Sequence, residues 1–122
     1  MSARTNRRTE AVSLLRTVTP DEAFRFYREI GQPLGPSAKS LGEFAALVKG
    51  IDPHSVKFHA ERGDFESWFR MLGDKSLADQ VGSLRGKNIP PDELRGMVSS
   101  TVVKRLDELR KVANSNVKKR AS

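Results

Sequence analysis

Four side chains that could do acid–base or binding chemistry lie close together in the chain: His59, Arg62, Asp64 and Glu66. A histidine oriented by a carboxylate is a common general base, and an arginine beside it would bind an anion. The same residues also have a structural interpretation, in which Asp64 caps a helix, Arg62 pairs with an acid and His59 hydrogen-bonds at the edge of the core. We favour the structural interpretation and predict no catalytic residue. A partner or ligand contact at His59 and Arg62 is the alternative.

Other catalytic and cofactor chemistries lack the residues that they need. The chain has no cysteine, which excludes disulfides, thiolate nucleophiles and Cys-based metal centres. Its two histidines, His54 and His59, are five residues apart and would point to different sides of a helix, so we predict no metal site. Neither a phosphate-binding glycine loop nor a Gly-x-Ser-x-Gly motif is present. We therefore predict a non-enzymatic protein without cofactors.

The net charge of +7 is concentrated at the two ends of the chain. Eight of the 22 basic residues lie in residues 1–9 and 110–122, which contain no acid, whereas residues 10–109 hold 14 basic and 15 acidic residues. Basic segments of this kind neutralise phosphates, although they also favour solubility. The pattern predicts binding to nucleic acid or a ribonucleoprotein at Arg4, Arg7, Arg8, Arg110, Lys111, Lys118, Lys119 and Arg120.

Rings and arginines alternate in a third candidate segment, Phe24-Arg25-Phe26-Tyr27-Arg28. Exposed rings between arginines are typical of surfaces on which single-stranded nucleic acid stacks. On a half-buried strand, however, Phe24 and Phe26 would face the core and leave Arg25 and Tyr27 outward. We therefore add Arg25 and Arg28 to the nucleic-acid-binding candidates, and Tyr27 to the partner or ligand candidates.

Helix-start signals recur along the chain. A capping residue followed by Pro, or by Glu three residues later, lies at Thr19, Ser40 and Asp52. Asp64 and either Asp74 or Ser76 are further cap candidates, and Pro90-Pro91 begins the last helix. Glycines supply the stops, at Gly50, Gly63, Gly73 and Gly86. Periodicity does not decide whether residues 56–61 form a helix or a strand.

These elements predict a mostly α fold: a small helical domain of four to five helices, with a short β-hairpin near the N-terminus and a long C-terminal helix. Residues 24–28 form the first strand of the hairpin, and its turn lies in the Gly- and Pro-rich segment 31–36. We predict a flexible basic arm at 1–9, a single globular helical domain at 10–113, and a flexible basic tail at 114–122. Within the domain, residues 10–18 could make two further helical turns.

The long helix is predicted from Pro90 to about Ala113. Its apolar residues form one continuous stripe, Leu94, Val98, Val102, Leu106, Leu109 and Ala113. The stripe either closes the core over Trp68 or pairs with a second copy of the chain. Thr101 and Arg105 interrupt a strict heptad, which favours packing on the body. A homodimer through residues 92–113 is the alternative.

The chain has no apolar run of the ~20 residues that span a bilayer, and its N-terminal segment is too polar for a signal peptide. We therefore predict a cytoplasmic protein that has no membrane partner.

The ordered set of residues between Ala23 and Ala78 resembles a known family. Its central motif is Phe58-His59-x-x-Arg62-x-Asp64-Phe65-x-x-Trp68. In order and spacing the chain is similar, over about residues 20–84, to an uncharacterised, mainly archaeal small-domain family, a domain of unknown function. The resemblance implies a mostly helical domain with a short β element near its start. It implies no reaction.

Overall fold

The computed structural model describes the backbone of residues 3–121 and the side chains of residues 7–114. This part of the chain forms six α-helices and one two-stranded antiparallel sheet: α1 (Ala3–Leu14), β1 (Phe24–Glu29), β2 (Gln32–Ala38), α2 (Leu41–Val48), α3 (Pro53–Arg62), α4 (Asp64–Leu72), α5 (Lys75–Gly82) and α6 (Pro91–Ala121). A 3-10 turn, Pro20–Glu22, leads into β1. The predicted fold class is confirmed, with six helices in place of four to five.

Three of the predicted helix caps are confirmed by their hydrogen bonds. Ser40 Oγ accepts from the N–H of Glu43 at the start of α2, at 3.2 Å. Asp52 caps α3 through the N–H of His54, and Asp74 caps α5 through the N–H of Leu77. Each cap satisfies a backbone donor that has no partner within its own helix.

Residues 56–61, which periodicity left open, belong to helix α3. Val56, His59 and Ala60 are buried, and they are spaced as one face of a helix. Phe58, which the strand interpretation would have placed in the core, is half-buried at the surface.

Both ends of the chain are more helical than predicted. Helix α1 begins at Ala3, within the predicted arm, and ends at Leu14 rather than at Val18. Helix α6 continues to Ala121, through the predicted tail. The arm and tail were assigned from the polarity of each segment by itself. In the structure α1 packs along α6, and the polarity of a short segment cannot predict such a tertiary contact.

The core is aromatic at its centre, where the hairpin meets α2 and α4. The ring of Phe44 stacks on Trp68 at 5.6 Å between centroids, and Phe24 and Phe65 pack edge-on or tilted against this pair. The indole N–H of Trp68 donates to the carbonyl of Glu22 at 2.8 Å. The 3-10 turn that leads into β1 is therefore held to α4 by one hydrogen bond, and Phe24 of β1 is held by packing.

Helix α6 closes the core, as the first of the two sequence interpretations predicted. The first five residues of its apolar stripe, Leu94 to Leu109, are buried within the chain, and the last, Ala113, is half-buried against the core. Arg105, which interrupts the heptad, forms a two-point ion pair with the carboxylate of Asp74, at 2.8 Å and 3.1 Å. Asp74 is 1% exposed, so this pair joins α6 to the start of α5 inside the fold. Along residues 3–121, none of the helices combines the length and the apolar character of a membrane span.

Candidate functional site

The partner or ligand candidates meet at one pocket of about 300 Å³, between β1, the hairpin turn and the junction of α3 with α4. Tyr27, His59, Arg62 and Asp64 all line it. The other lining residues are Phe24, Arg25, Ile30, Gly31 and Phe58. The pocket thus combines residues of the 58–68 motif with Tyr27 of β1, which is distant in sequence.

His59 connects the hairpin to the helices. Its Nε2 accepts from the backbone N–H of Tyr27 at 2.9 Å, and its Nδ1 lies 2.8 Å from Oδ2 of Asp64. Because Nε2 must accept, the ring proton is on Nδ1 and is donated to Asp64. The register of β1 against β2 shifts on either side of Tyr27. The N–H of Tyr27 therefore donates to His59 rather than to β2.

This geometry favours a neutral His59. Burial lowers the pKa of His59, and the hydrogen bond and charge of Asp64 oppose that effect without cancelling it. The side chain is 4% exposed, and the Nε2 lone pair that a general base would use already accepts from Tyr27. His59 is a structural residue in this arrangement, as the sequence interpretation favoured.

The predicted cap at Asp64 is wrong. Gly63, in the left-handed conformation at φ 76°, occupies the cap position and Asp64 is the first residue of α4. Its carboxylate turns back to His59 and also pairs with Arg62 Nε at 3.2 Å. The tight turn at Gly63 makes this return possible, because it reverses the chain between the two helices.

Arg62 and Arg25 bring positive charge to the pocket. Arg62 lies over the ring of Phe58, at 4.9 Å from its centroid, in a cation–π contact. Arg25 donates one N–H to the carbonyl of Pro20 at 3.1 Å and is exposed. Arg28, on the same strand, pairs instead with Asp52 at the start of α3 and does not line the pocket.

The nucleic-acid candidates at the two ends of the chain also come together. Arg8 Nε donates to the carbonyl of Ala113 at 3.0 Å, across 105 residues of sequence. Further along α1, Leu14 lies against Gly73. The next residue, Asp74, pairs with Arg105 of α6, which precedes Ala113 on that helix. Helices α1 and α6 therefore run antiparallel, and the basic segments 3–9 and 110–121 lie at the same end of the molecule. We name these two segments the cationic end.

The described side chains of the cationic end differ in role. Arg7, Arg110 and Lys111 are exposed, whereas Arg8 is half-buried against α6. The remaining candidates, Arg4, Lys118, Lys119 and Arg120, have side chains outside the described range.

Two lining residues of the pocket were missed by the sequence interpretation. Ile30 lies in the two-residue turn Ile30-Gly31. The sequence interpretation had assigned the turn to the Gly- and Pro-rich segment 31–36, but that segment belongs to β2 from Gln32 onward. Phe58 lies off the buried stripe of α3 and fitted an apolar pattern only under the strand interpretation. An apolar residue next to a segment rich in Gly and Pro was the signal available for Ile30. Across the part of the chain that is described, no three His, Asp or Glu side chains are grouped as a metal site requires.

Comparisons with protein-family models, with curated proteins and with solved structures give no match for this chain. The resemblance to the archaeal small-domain family stays a prediction.

Proposed function

We propose that the chain binds nucleic acid, by itself or within a ribonucleoprotein, through the cationic end, with the helical body as scaffold. The observation that carries the proposal is the hydrogen bond from Arg8 to Ala113, which joins two basic segments that are distant in sequence. Together these segments hold eight Lys or Arg residues and no acid. A polyanion would meet one cationic surface instead of two independent arms, and each phosphate contact would add to the affinity.

Helix stability does not explain the charges on α1. Positive charge near the C-terminus of a helix is favourable, so Arg110 and Lys111 on α6 have a structural explanation. On α1, however, Arg4 and Arg7 lie in the first turns with no acid among them, where positive charge opposes the helix dipole. Binding to phosphate is a reason for cations at that position.

The body carries nearly balanced charge, since residues 10–109 hold 14 basic and 15 acidic residues. The ion pairs found among side chains 7–114 all join residues between Arg28 and Glu108. The excess positive charge of the chain therefore lies at the cationic end rather than on the body.

The test is the salt dependence of binding to labelled single-stranded RNA and double-stranded DNA, measured by fluorescence anisotropy. The variant replaces Arg7, Arg110 and Lys111 by Gln, since all three are exposed. Loss of three phosphate contacts should lower the slope of log affinity against log salt by about 2 to 3. Arg8 is left in place because it joins α1 to α6.

The control removes the same charge from the body, through Gln at the exposed residues Lys49, Lys87 and Lys104. We expect the control to leave the slope within about 1 of the parent protein. Binding that does not weaken with salt, or an equal loss in both triple variants, would contradict the proposal. Comparison of the RNA with the DNA identifies the preferred nucleic acid.

A homodimer through α6 stays a prediction, but it could not use the apolar stripe of the helix. The apolar stripe is buried within the chain, so a second copy would have to cover Met97 and Val103, which are about 40% exposed. Two cationic ends in one dimer would raise the affinity for a polyanion through effective concentration.

A further inference from the structure

The pocket at His59 shares no residue with the cationic end, and its walls are largely apolar. Ile30, which is 79% exposed, and Phe58, which is half-buried, both line it. The buried ring of Phe24 lines it as well. A ligand that covered Ile30 and Phe58 would remove apolar surface from water, which is the main driving force for binding in such pockets.

The charged groups of the pocket determine which charge the ligand should carry. Arg25 and Arg62 are cationic, and Asp64 is the one carboxylate in the lining. Asp64 is engaged with His59 and Arg62, at 2.8 Å and 3.2 Å. With a neutral His59, two guanidinium groups against one carboxylate leave a single positive charge, which matches a monoanion better than a doubly charged phosphate monoester.

We propose that this pocket binds a small aromatic carboxylate. Its ring would lie on Phe58 and Ile30, and its carboxylate would accept hydrogen bonds from Arg25 or Arg62. Guanidinium groups bind carboxylates in a planar, two-point geometry, and Arg25 uses one of its donors on Pro20. The volume of about 300 Å³ is at the lower end of the range for small-molecule sites, so the ligand is a single-ring acid.

The role of His59 in this site is to position the wall rather than to touch the ligand. Its two hydrogen bonds fix Tyr27 on β1 and Asp64 on α4, so the strand and the helix keep their separation. The pocket is therefore formed before the ligand arrives.

The experiment titrates the whole protein with 3-phenylpropionate and follows the backbone amides by NMR. Saturable shifts at Ile30, Gly31 and Phe58 are expected. The neutral amide of the same compound should bind at least about tenfold more weakly, because it lacks the charge-assisted hydrogen bond. Phenyl phosphate, the dianionic comparison, should also bind more weakly than the carboxylate.

Substitutions locate the binding residues. Arg25→Gln and Arg62→Gln should each weaken 3-phenylpropionate binding, by about tenfold for the guanidinium that holds the carboxylate. Lys87→Gln, an equal loss of charge at an exposed loop residue, should leave it unchanged. If Arg62→Gln disturbs the hairpin, seen in the Tyr27 amide, Ile30→Asp tests the same site, since Ile30 is 79% exposed and contributes little to the core.

Four outcomes would overturn the proposal. They are no saturable shift at ~10 mM probe, equal binding of the acid and its amide, shifts centred on the cationic end, or binding unaffected by all three pocket variants. If Arg25→Gln and Arg62→Gln weaken an oligonucleotide while 3-phenylpropionate does not bind, the pocket is part of the nucleic-acid surface instead. Failure of nucleic-acid binding leaves this test intact, because the probe contains no nucleotide.

Discussion

His59 stabilises the fold by staying neutral. Protonation of Nε2 would set an N–H against the N–H of Tyr27, and it would place a charge in a site that is 4% exposed. The charges that face the ring are Asp64, in direct contact, and Arg62 beyond it. Burial is the largest effect on the pKa of His59 and lowers it, so the folded state resists the proton that the unfolded chain accepts.

Stability should therefore fall as the pH drops below the ordinary histidine pKa of about 6.5. Above that value His59 is neutral in both states and contributes no pH dependence. Below it the unfolded chain binds the proton first, and the free energy of unfolding decreases until the lower, folded pKa is reached. A difference of one pKa unit between the two states corresponds to about 1.4 kcal/mol. Urea unfolding between pH 7.5 and pH 5 measures it.

The second histidine is the control for this prediction. His54 is exposed, and His54→Gln should keep the pH dependence, whereas His59→Gln should remove it and lower stability at every pH. A parent protein whose stability is flat across this range, or a dependence lost in His54→Gln, would show that His59 is not the titrating group.

At this scale the sequence indicated the right residues but not all of their contacts. The crowding of His59, Arg62 and Asp64 was visible in the chain, and a structural role was favoured for His59, whose two ring nitrogens contact Tyr27 and Asp64. The preference of Asp for cap positions predicted that Asp64 would cap α4. The carboxylate instead satisfies a buried imidazole, and the partner on the other side of that ring, Tyr27, is 32 residues away.

Among the helices, the contact between α4 and α5 explains why residue 82 is a glycine. Glu66 is 7% exposed on α4 and pairs with Arg85 at 3.1 Å. Its carboxylate lies against Gly82 of α5, where an added Cβ would be 2.7 Å from Oε1. Helix propensity treats Gly82 as a weak point, but the close approach of Glu66 requires it.

Gly82→Ala should therefore destabilise the protein, by about 1 to 3 kcal/mol, despite the better helix propensity of alanine. The Cβ would displace a buried carboxylate from its arginine partner. Gly96→Ala is the matched control: Gly96 is also within a helix, but a Cβ there meets open space, so we expect a gain of up to about 1 kcal/mol. Denaturant unfolding of both variants provides the measurement, and stabilisation of both would contradict the close approach.

The helices were largely predictable because their signals are local. Caps at Ser40, Asp52 and Asp74 and the apolar stripe of α6 are patterns of a few residues. The buried pair of Asp74 with Arg105 could not be predicted, since a charged residue within an apolar stripe has no local signal for its partner.

For the whole molecule, the main difference from the sequence interpretation is that residues 3–9, the predicted arm, continue the same helix as residues 10–14, which the sequence had placed in the body. Ala11 and Leu14 are buried in the core, and Arg8 reaches Ala113 on α6. The location of the positive charge was readable from the sequence. The meeting of the two charged segments was not, because it depends on contacts about a hundred residues apart.

Leu14→Ala should lower the free energy of global unfolding by about 3 kcal/mol, because it removes a side chain that is 4% exposed in the core. Val12→Ala, on the same helix and 50% exposed, should change it by less than about 0.5 kcal/mol. Thermal or urea unfolding followed by circular dichroism tests both. If Leu14→Ala costs no more than Val12→Ala, Leu14 is not part of the core and the packing of α1 on the body is contradicted.

The hydrogen bond from Trp68 to Glu22 allows tryptophan fluorescence to report on the attachment of the hairpin to α4. The chain has one tryptophan, so its fluorescence has a single origin, and its indole N–H binds the carbonyl of Glu22 in the 3-10 turn that leads into the hairpin. Emission would respond when the hairpin leaves α4, while circular dichroism at 222 nm follows the six helices. Recorded together in mild acid, the two signals would separate release of the hairpin from collapse of the whole fold.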